Sequence, residues 1–474
     1  VLIVGGGLDG VLSGGALTRR HIDFELFELE GFLGGVWVTM ANLTSKVQTG
    51  KLTYTLDLED QSPHVADESN FQPADEVVKS ITGFALRMGI DKKTSIFREV
   101  TSVTYEPWPS KDCGVDWTDW SKAARDAAPG RGLQKSSVFQ GVIFACGSLR
   151  SPTLAPMAPA HYGGYDSYGV CGDMRPCEMA GKDLVIAGHG AYGVENVRTG
   201  LEHGAKAITL VCRHRHSVLP RCAVWLLDAG RAFDAWDEIS KMLAVAKMAP
   251  AYTTDRRKRP AVSDQYYAAT RFGRACIVHG KIHGYDADAS NPCLLVETPQ
   301  ASGLTKVRAD VALLCYGFSK ETSIVNRTMG VFEEGDLTGI WVKGQRRACI
   351  LRADLDVRKE ATPLSASNIA FASFLANTFC HFLTRPKSEF DGVLKKLPKA
   401  GNSQDTTSFD FFASTFLALV GDKAVQPQLT KIIRRVQHVS VNDVCAWTDF
   451  VEDCAGDWRK YVGAVGVPGR EEPY

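Results

Sequence analysis

The sequence predicts an α/β fold with two doubly wound parallel sheets, because one pattern occurs twice in the chain. Each copy has a short apolar run, a turn with glycines at the spacing Gly-x-Gly-x-x-Gly, a helix and a second apolar run. A strand that feeds a helix and returns beside the first strand is the repeating unit of such sheets. The two copies begin around Gly5 and Gly188, so we expect two domains rather than one.

The bulk composition excludes several classes of protein. Of the 474 residues 45% are hydrophobic and 23% charged, as in ordinary globular proteins. Lys+Arg and Asp+Glu both total 54, whereas a nucleic-acid or membrane-surface protein would need a basic excess. No apolar run approaches the roughly 20 residues of a membrane-spanning helix. We therefore expect no nucleic-acid partner and no membrane span, while the oligomeric state is not indicated.

The cysteines indicate a reducing compartment. The chain has 13 of them, scattered from Cys113 to Cys454, and no Cys-x-x-Cys pair. Cys146, Cys212 and Cys315 fall in or beside predicted core strands. This usage predicts reduced thiols that act as small apolar side chains, and hence a cytoplasmic protein. Because the chain opens inside a predicted strand, a preceding targeting segment is not assessable. The 11 histidines show no metal-ligand spacing, so no metal is expected.

The first copy predicts a dinucleotide site. It comprises a strand over 1–4, a turn with Gly5, Gly7 and Gly10, a helix to residue 20 and a strand over 24–28. These glycines permit a tight turn and let a pyrophosphate approach the helix N-terminus, where free N–H groups and the helix dipole favour negative charge. Glu28 ends the second strand, where a carboxylate can accept hydrogen bonds from a ribose. The alternative is a structural glycine-rich turn.

The second copy repeats this arrangement with one difference. It comprises a strand over 184–187, a turn with Gly188, Gly190 and Gly193, a helix over 194–203 and a strand over 207–212. That strand is followed by Arg213 and Arg215 instead of an acid. An arginine here can hold the 2′-phosphate that NADPH has and NADH lacks; the alternative is a solvated strand end. His189, inside the turn, is expected to be a loop residue rather than a catalyst.

Two further apolar runs suggest how the domains are connected. Residues 138–145 and 311–315 read as buried strands, and each is closely followed by a glycine, Gly147 or Gly317. The simplest topology inserts the second domain into the first. We therefore assign residues 1–155 and 305–389 to the first domain and residues 156–304 to the second. Residues 390–474 are expected to be a helical C-terminal region without recognisable chemistry.

Together these motifs resemble those of the flavin-containing monooxygenases and the related Baeyer–Villiger monooxygenases. The specific parts are the first glycine turn, Phe27-Glu28, Gly34-Gly35-Val36-Trp37, and the second turn with its trailing arginines. Ala145-Cys146-Gly147 and Leu314-Cys315-Tyr316-Gly317 are similar to the family's two Ala-Thr-Gly strand ends. The resemblance implies FAD at the first turn, contacted also by Gly34, Gly35, Trp37, Ala145, Gly147 and Gly317, and NADPH at the second turn.

The chain departs from the family at its signature and at one polar position. The family motif Phe-x-Gly-x-x-x-His is best matched from Tyr162 to Tyr168, which keeps the glycine but has Tyr168 in place of histidine. Gln48, eleven residues after Trp37, resembles by register the Asn of flavin-containing monooxygenases or the Asp of Baeyer–Villiger enzymes. Glutamine cannot supply a carboxylate charge, which favours heteroatom or carbon oxygenation. Asn42 is the second candidate beside the flavin.

The resemblance implies a monooxygenase that inserts one oxygen atom from O₂ into a small organic substrate. NADPH would reduce the flavin, which would form a flavin hydroperoxide with O₂, while the protein excludes water. Two alternatives remain open. One is a FAD-dependent NADPH reductase or oxidase without oxygen transfer, favoured by the altered signature. The other is a non-catalytic flavin-binding protein, favoured by Asp9 beside the expected pyrophosphate and by the bulk of Tyr192 in the second turn.

Overall fold

A computed structural model gives the fold of most of the first 320 residues. It describes residues 1–42, 44–48, 56, 72–105, 112–127, 130–147, 151–153, 162–170, 174–216, 218–219, 261–286, 290–319 and 348–350, with single positions between 376 and 388. The predicted helical region 390–474 lies outside these residues. Within them, no helix is long and apolar enough to cross a membrane, and no cluster of metal-ligating side chains occurs.

The described residues form twenty strands and six α-helices. The strands are β1 (Leu2–Val4), β2 (Glu25–Phe27), β3 (Thr94–Ser95), β4 (Arg98–Tyr105), β5 (Cys113–Asp119), β6 (Leu133–Phe139), β7 (Val142–Phe144), β8 (Ser151–Pro152), β9 (Tyr165–Ser167), β10 (Asp183–Ala187), β11 (Ala207–Cys212), β12 (Val218–Leu219), β13 (Ala261–Val262), β14 (Ala275–His279), β15 (Lys281–Tyr285), β16 (Cys293–Glu297), β17 (Leu304–Arg308), β18 (Val311–Leu314), β19 (Phe318–Ser319) and β20 (Ala348–Ile350). The helices are α1 (Leu8–Arg19), α2 (Val36–Thr39), α3 (Ala74–Arg87), α4 (Lys122–Ala127), α5 (Ala191–Glu202) and α6 (Asp264–Arg271).

The first compact unit is built on a five-stranded parallel sheet in the order β20-β7-β1-β2-β3. Its central strands are fully apolar and fully buried, as expected for a parallel sheet covered on both faces. The antiparallel sheet β4-β5-β6 shares one apolar cluster with it, in which the rings of Phe27 and Trp117 lie 4.9 Å apart. Helix α1 starts directly after β1, which places its N-terminus at the carboxyl edge of the sheet.

The predicted single strand over 138–145 is wrong. Its first part belongs to β6, an edge strand of the antiparallel sheet on which Val138 is 69% exposed, and its second part is β7 of the parallel sheet. The chain changes sheets at Gln140 and Gly141, whose carbonyl accepts a hydrogen bond from Leu2 N. The Gln-Gly pair was the local signal of this change, but hydrophobicity alone does not report which sheet a residue joins.

The second compact unit repeats this plan. Its parallel sheet has the order β14-β11-β10-β18-β9, and the antiparallel sheet β15-β16-β17 contributes to one apolar cluster with it. Strands β10 and β11 follow the predicted runs closely, and α5 starts three residues before its predicted first residue. Both predicted parallel-sheet units are thus present among the described residues.

The units differ from the predicted domains at two boundaries. Strand β18 pairs in parallel with β10, so residues 305–319 join the second unit although they were predicted to belong to the first domain. The segment Thr39–Gly50 also groups with the second unit. Strand β20 returns to the first sheet beside β7, which is the strand order that an insertion would give; the insertion itself stays a prediction.

The described cysteines divide into buried and exposed thiols. None of the eight forms a disulfide, and five of them are buried. Cys212 and Cys315 lie in or directly after core strands, whereas Cys146 follows β7 and is exposed, contrary to expectation. Burial raises the pKa of the Cys315 thiol to about 12, so this side chain stays neutral and packs as a small apolar group.

Candidate functional site

The two glycine turns have the same backbone geometry. Gly5 and Gly188 have φ angles of +105° and +109°, which favour glycine. A Cβ on Gly5 would lie 2.5 Å from the carbonyl oxygen of Ala145, and one on Gly188 would collide with the carbonyl oxygen of Cys315. Each first glycine is therefore required by the strand end that passes against it, β7 in the first unit and β18 in the second.

The third glycine of each turn lets the helix start close to the strand. A Cβ on Gly10 would collide with the carbonyl oxygen of Gly5, and one on Gly193 would lie 2.5 Å from that of Gly188. Both first and third glycines are thus explained by packing within the protein. This accounts for two of the three glycines in each predicted fingerprint, as is usual for dinucleotide-binding turns.

The middle glycine of each turn leaves a helix N-terminus open. Gly7 and Gly190 are the N-cap residues of α1 and α5, and neither helix has a side-chain cap, whereas Ser263 Oγ caps α6 by accepting from Tyr266 N. A Cβ on Gly190 would meet no described atom within 4 Å. Uncapped N–H groups at a helix N-terminus, reachable past a residue without a side chain, form an anion site.

The Gly34–Gly35 segment packs on the first turn. Gly34 N donates to the carbonyl oxygen of Gly6 at 3.0 Å, and a Cβ on Gly35 would lie 2.8 Å from Gly7 Cα. Both residues have positive φ, +134° and +55°. Trp37 follows on the short helix α2 and is half-buried. The motif that carries the family resemblance therefore contacts the predicted pyrophosphate turn directly.

Glu28 lies where the sequence predicts, directly after β2, and it braces the turn. Its buried carboxylate accepts from the backbone N–H of Gly6 at 2.5 Å and from that of Glu30 at 2.7 Å. A carboxylate can accept up to about four hydrogen bonds. Bracing of the turn is a role that the sequence pattern did not reveal.

The second unit has no acid at this place. The first glycine of each turn donates from its N–H to the neighbouring strand, to Phe27 in the first unit and to Val211 in the second. This register makes Cys212 the counterpart of Glu28, and Cys212 is buried. Arg213 and Arg215 follow it and are both exposed at the carboxyl edge of the sheet. Their predicted role in phosphate binding stays a prediction.

The two strand-end glycines lie at the edges of different sheets. Gly147 follows β7 with φ +64°, and Gly317 follows β18 with φ +90°. Gly317 was predicted to contact the same cofactor as Gly147, but the pairing of β18 places it in the second unit. Next to it, burial raises the pKa of Tyr316, and the nearby positive charge of Arg213 opposes this rise. Gly317 therefore belongs to the second unit, not to the sheet edge that carries Gly147.

Asn42 has a structural environment. Its amide hydrogens are donated to the carbonyl oxygen of Gly169 and to Asn196 Oδ1, at 2.9 and 3.2 Å, and its Oδ1 accepts from Thr44 and Ser45. The side chain is 4% exposed. Both hydrogens are used within the protein, so we assign Asn42 to positioning the 42–45 segment on α5 rather than to contact with a reacting group.

Gln48 lies at the start of α5. Its Nε2 donates to the carbonyl oxygen of Ala191 at 3.2 Å, and Ala191 is the first residue of that helix. The structure thus brings Gln48 to the second glycine turn. Its predicted contact with the flavin stays a prediction.

Tyr192, unexpected in such a turn, is explained by its contacts. Its hydroxyl donates to the carbonyl oxygen of Gly169, which also accepts from Asn42, and its ring lies 5.7 Å from that of Phe318 in an edge arrangement. Gly169 directly follows Tyr168, the residue in place of the family's histidine. The large side chain therefore fixes the altered signature segment to α5.

Two flavin monooxygenases are among the solved structures similar to this chain. OTEMO, a Baeyer–Villiger flavin monooxygenase solved with FAD and NADP, aligns with a TM-score of 0.58 at 12% identity over 80% of this chain and 84% of its own. Tmm from Pelagibacter sp. strain HTCC7211, also a flavin monooxygenase, aligns with a TM-score of 0.53 at 14% identity over 91% and 89%. The chain has the fold of the flavoprotein monooxygenases.

The same fold occurs in an enzyme with different chemistry. A bacillithiol disulfide reductase from Bacillus cereus aligns with a TM-score of 0.54 at 12% identity over 81% of this chain and 98% of its own. No protein-family model and no curated protein sequence matches the chain. The choice between oxygenation and simple reduction therefore depends on the chemistry of the residues.

Proposed function

We propose that this chain is a FAD- and NADPH-dependent monooxygenase that inserts one atom of O₂ into a small organic substrate. The observation that carries the proposal is the repeated turn: two uncapped helix N-termini at parallel-sheet edges, one beside an acid and the other beside arginines. Two anion sites with different ribose-side partners suit two different dinucleotides. The presence of FAD and NADP in OTEMO supports the same assignment.

The residues at the first turn fit FAD. Gly7 and Gly35 meet backbone to backbone, so neither residue places a side chain over the N-terminus of α1. Glu28 would accept hydrogen bonds from the ribose hydroxyls while keeping its bond to Gly6 N. Asp9 lies in the first turn of α1, where its negative charge stabilises the helix by interacting with the helix dipole. This interaction gives Asp9 a structural role that is compatible with FAD binding at the same turn.

The residues at the second turn fit NADPH. The N-terminus of α5 would hold the pyrophosphate, and Arg213, with Arg215, would pair with the 2′-phosphate through planar guanidinium groups. Gln48 reaches the first residue of α5 and would lie beside the same coenzyme. When bound, FAD would supply the redox chemistry, accepting a hydride from NADPH and passing electrons to O₂.

Oxygen transfer separates the proposal from its reductase alternative. In the balanced reaction, substrate, O₂, NADPH and a proton give oxygenated product, water and NADP⁺. The purified protein with FAD would be incubated with NADPH and ¹⁸O₂ in the presence of thioanisole, N,N-dimethylaniline or cyclohexanone. We expect the oxygenated product of at least one of these three compounds to carry a single ¹⁸O atom, as measured by mass spectrometry. NADPH oxidation that yields hydrogen peroxide and no labelled product would instead support the reductase or oxidase function.

Replacement of Glu28 tests the FAD assignment. We expect Glu28→Ala to weaken FAD binding by about 1.5–3 kcal/mol, because a charged acceptor for the ribose is lost. Flavin released on serial dilution would be measured by its fluorescence, with Glu30→Ala as the matched control two residues away. A Glu28→Ala protein that keeps its flavin as well as the control would remove Glu28 from the ribose site.

Replacement of Arg213 tests the coenzyme assignment. Arg213→Ala should raise the KM for NADPH about tenfold or more and leave the KM for NADH nearly unchanged, because only NADPH carries the 2′-phosphate. Rates of flavin reduction by each coenzyme would be followed by stopped-flow absorbance, with Arg215→Ala to separate the two arginines. Equal effects of Arg213→Ala on both coenzymes would contradict the assignment.

A further inference from the structure

The second turn has a histidine where the first has a glycine. By strand register Gly6 corresponds to His189, as Glu28 corresponds to Cys212. In the first unit the turn is tied to the next strand by the carboxylate of Glu28, which accepts from Gly6 N. Cys212 has no carboxylate, so the second unit lacks this brace. The backbone bond from Gly188 N to Val211 O remains, and a different side chain connects the turn to the residues after β11.

His189 provides that connection in the reverse direction. Its Nδ1 accepts from the backbone N–H of His216 at 3.2 Å, so Nδ1 carries no proton. The neutral ring is then protonated on Nε2, which donates to the hydroxyl oxygen of Tyr266 at 2.8 Å. The side chain is 2% exposed, and burial lowers its pKa to about 4, which keeps the ring neutral near pH 7.

The segment that His189 holds carries the candidate phosphate ligands. We call residues 213–216 the arginine loop; Arg213 and Arg215 are exposed on it. The loop is also anchored on either side, since Cys212 O accepts from Gly280 N at 3.0 Å and Val218 O accepts from the hydroxyl of Tyr267. These anchors fix the loop to β14, β15 and α6, whereas the bond from His189 fixes it to the glycine turn itself.

We propose that His189 is a positioning residue that sets the preference of the second site for a 2′-phosphorylated coenzyme. This inference rests on the proposed function, in which the turn binds the pyrophosphate and the arginine loop binds the 2′-phosphate. Both groups belong to one adenosine of the coenzyme, so their spacing is fixed in the ligand. A bond between the turn and the loop fixes the matching spacing in the protein before binding, which favours NADP(H) over NAD(H).

Two substitutions at His189 separate its two hydrogen bonds. The side-chain oxygen of Asn reaches the position of Nδ1, whereas the amide of Gln reaches that of Nε2. Dissociation constants for NADP⁺ and NAD⁺ would be measured by isothermal titration calorimetry on the FAD-loaded protein. We expect His189→Asn to keep the ratio of the two constants within about threefold, and His189→Gln to reduce the preference for NADP⁺ about tenfold with little change for NAD⁺.

Two further variants control for general damage to the fold. Tyr266→Phe removes the partner of Nε2 but leaves the bond to His216, so we expect it to keep the preference. His216→Pro removes the backbone N–H while leaving His189 intact, and we expect it to reproduce the loss even if His189→Gln does not fold. Circular dichroism melting would establish that each measured variant is folded.

The variant Arg213→Ala distinguishes a failure of the role proposed for His189 from a failure of the coenzyme assignment. Loss of preference in Arg213→Ala but not in folded His189→Gln or His216→Pro would overturn the role of His189 alone. Equal loss in Tyr266→Phe and His189→Gln would also overturn it, since the effect would then come from the buried ring as a whole. If the unmodified protein shows no preference for NADP⁺ and Arg213→Ala changes neither dissociation constant, the coenzyme assignment would be overturned. The inference about His189 would then fail with it.

Discussion

The absence of a side chain at Gly5 and Gly188 is the constraint on which both candidate sites depend. In each unit the carbonyl group that follows a neighbouring strand occupies the space that a Cβ would need. This contact brings the ends of two parallel strands together and sets the direction in which the chain leaves the sheet. The helix that follows then begins at the sheet edge with its N-terminus uncapped, which is where an anion can bind. Any larger residue would move the helix start away from the edge.

The two units use different side chains to connect the glycine turn to the residues at the end of the next strand. In each unit a backbone bond joins the first glycine of the turn to the next strand, and a side chain adds a second connection. Glu28 supplies this second connection in the first unit, where the proposed function also gives it hydrogen bonds from a ribose. In the second unit an acid would repel a 2′-phosphate, and Cys212 stands in its place. The bond comes instead from His189, whose neutral ring adds no charge near the arginines.

The sequence predicted those features that depend on neighbours along the chain. Glycine spacing reports collisions between a residue and its own turn, as for Gly10 and Gly5, so both fingerprints were predictable. Strand pairing was less predictable from the sequence. Nothing local in residues 311–314 shows that they pair with β10, and for this reason the predicted domain boundary at 304 differs from that of the compact units. The partners of Asn42 are 127 and 154 residues away, which is why its structural role was hidden.

The central claim is that the two turns bind two different dinucleotides that exchange electrons. The most direct measurement is the visible absorbance spectrum of the FAD-loaded protein during stepwise anaerobic addition of NADPH. We expect FAD to bind in stoichiometric amount and NADPH to bleach its absorbance, followed by recovery when oxygen is admitted. A protein that binds no FAD, or whose bound FAD is bleached by dithionite but not by NADPH, would contradict this expectation.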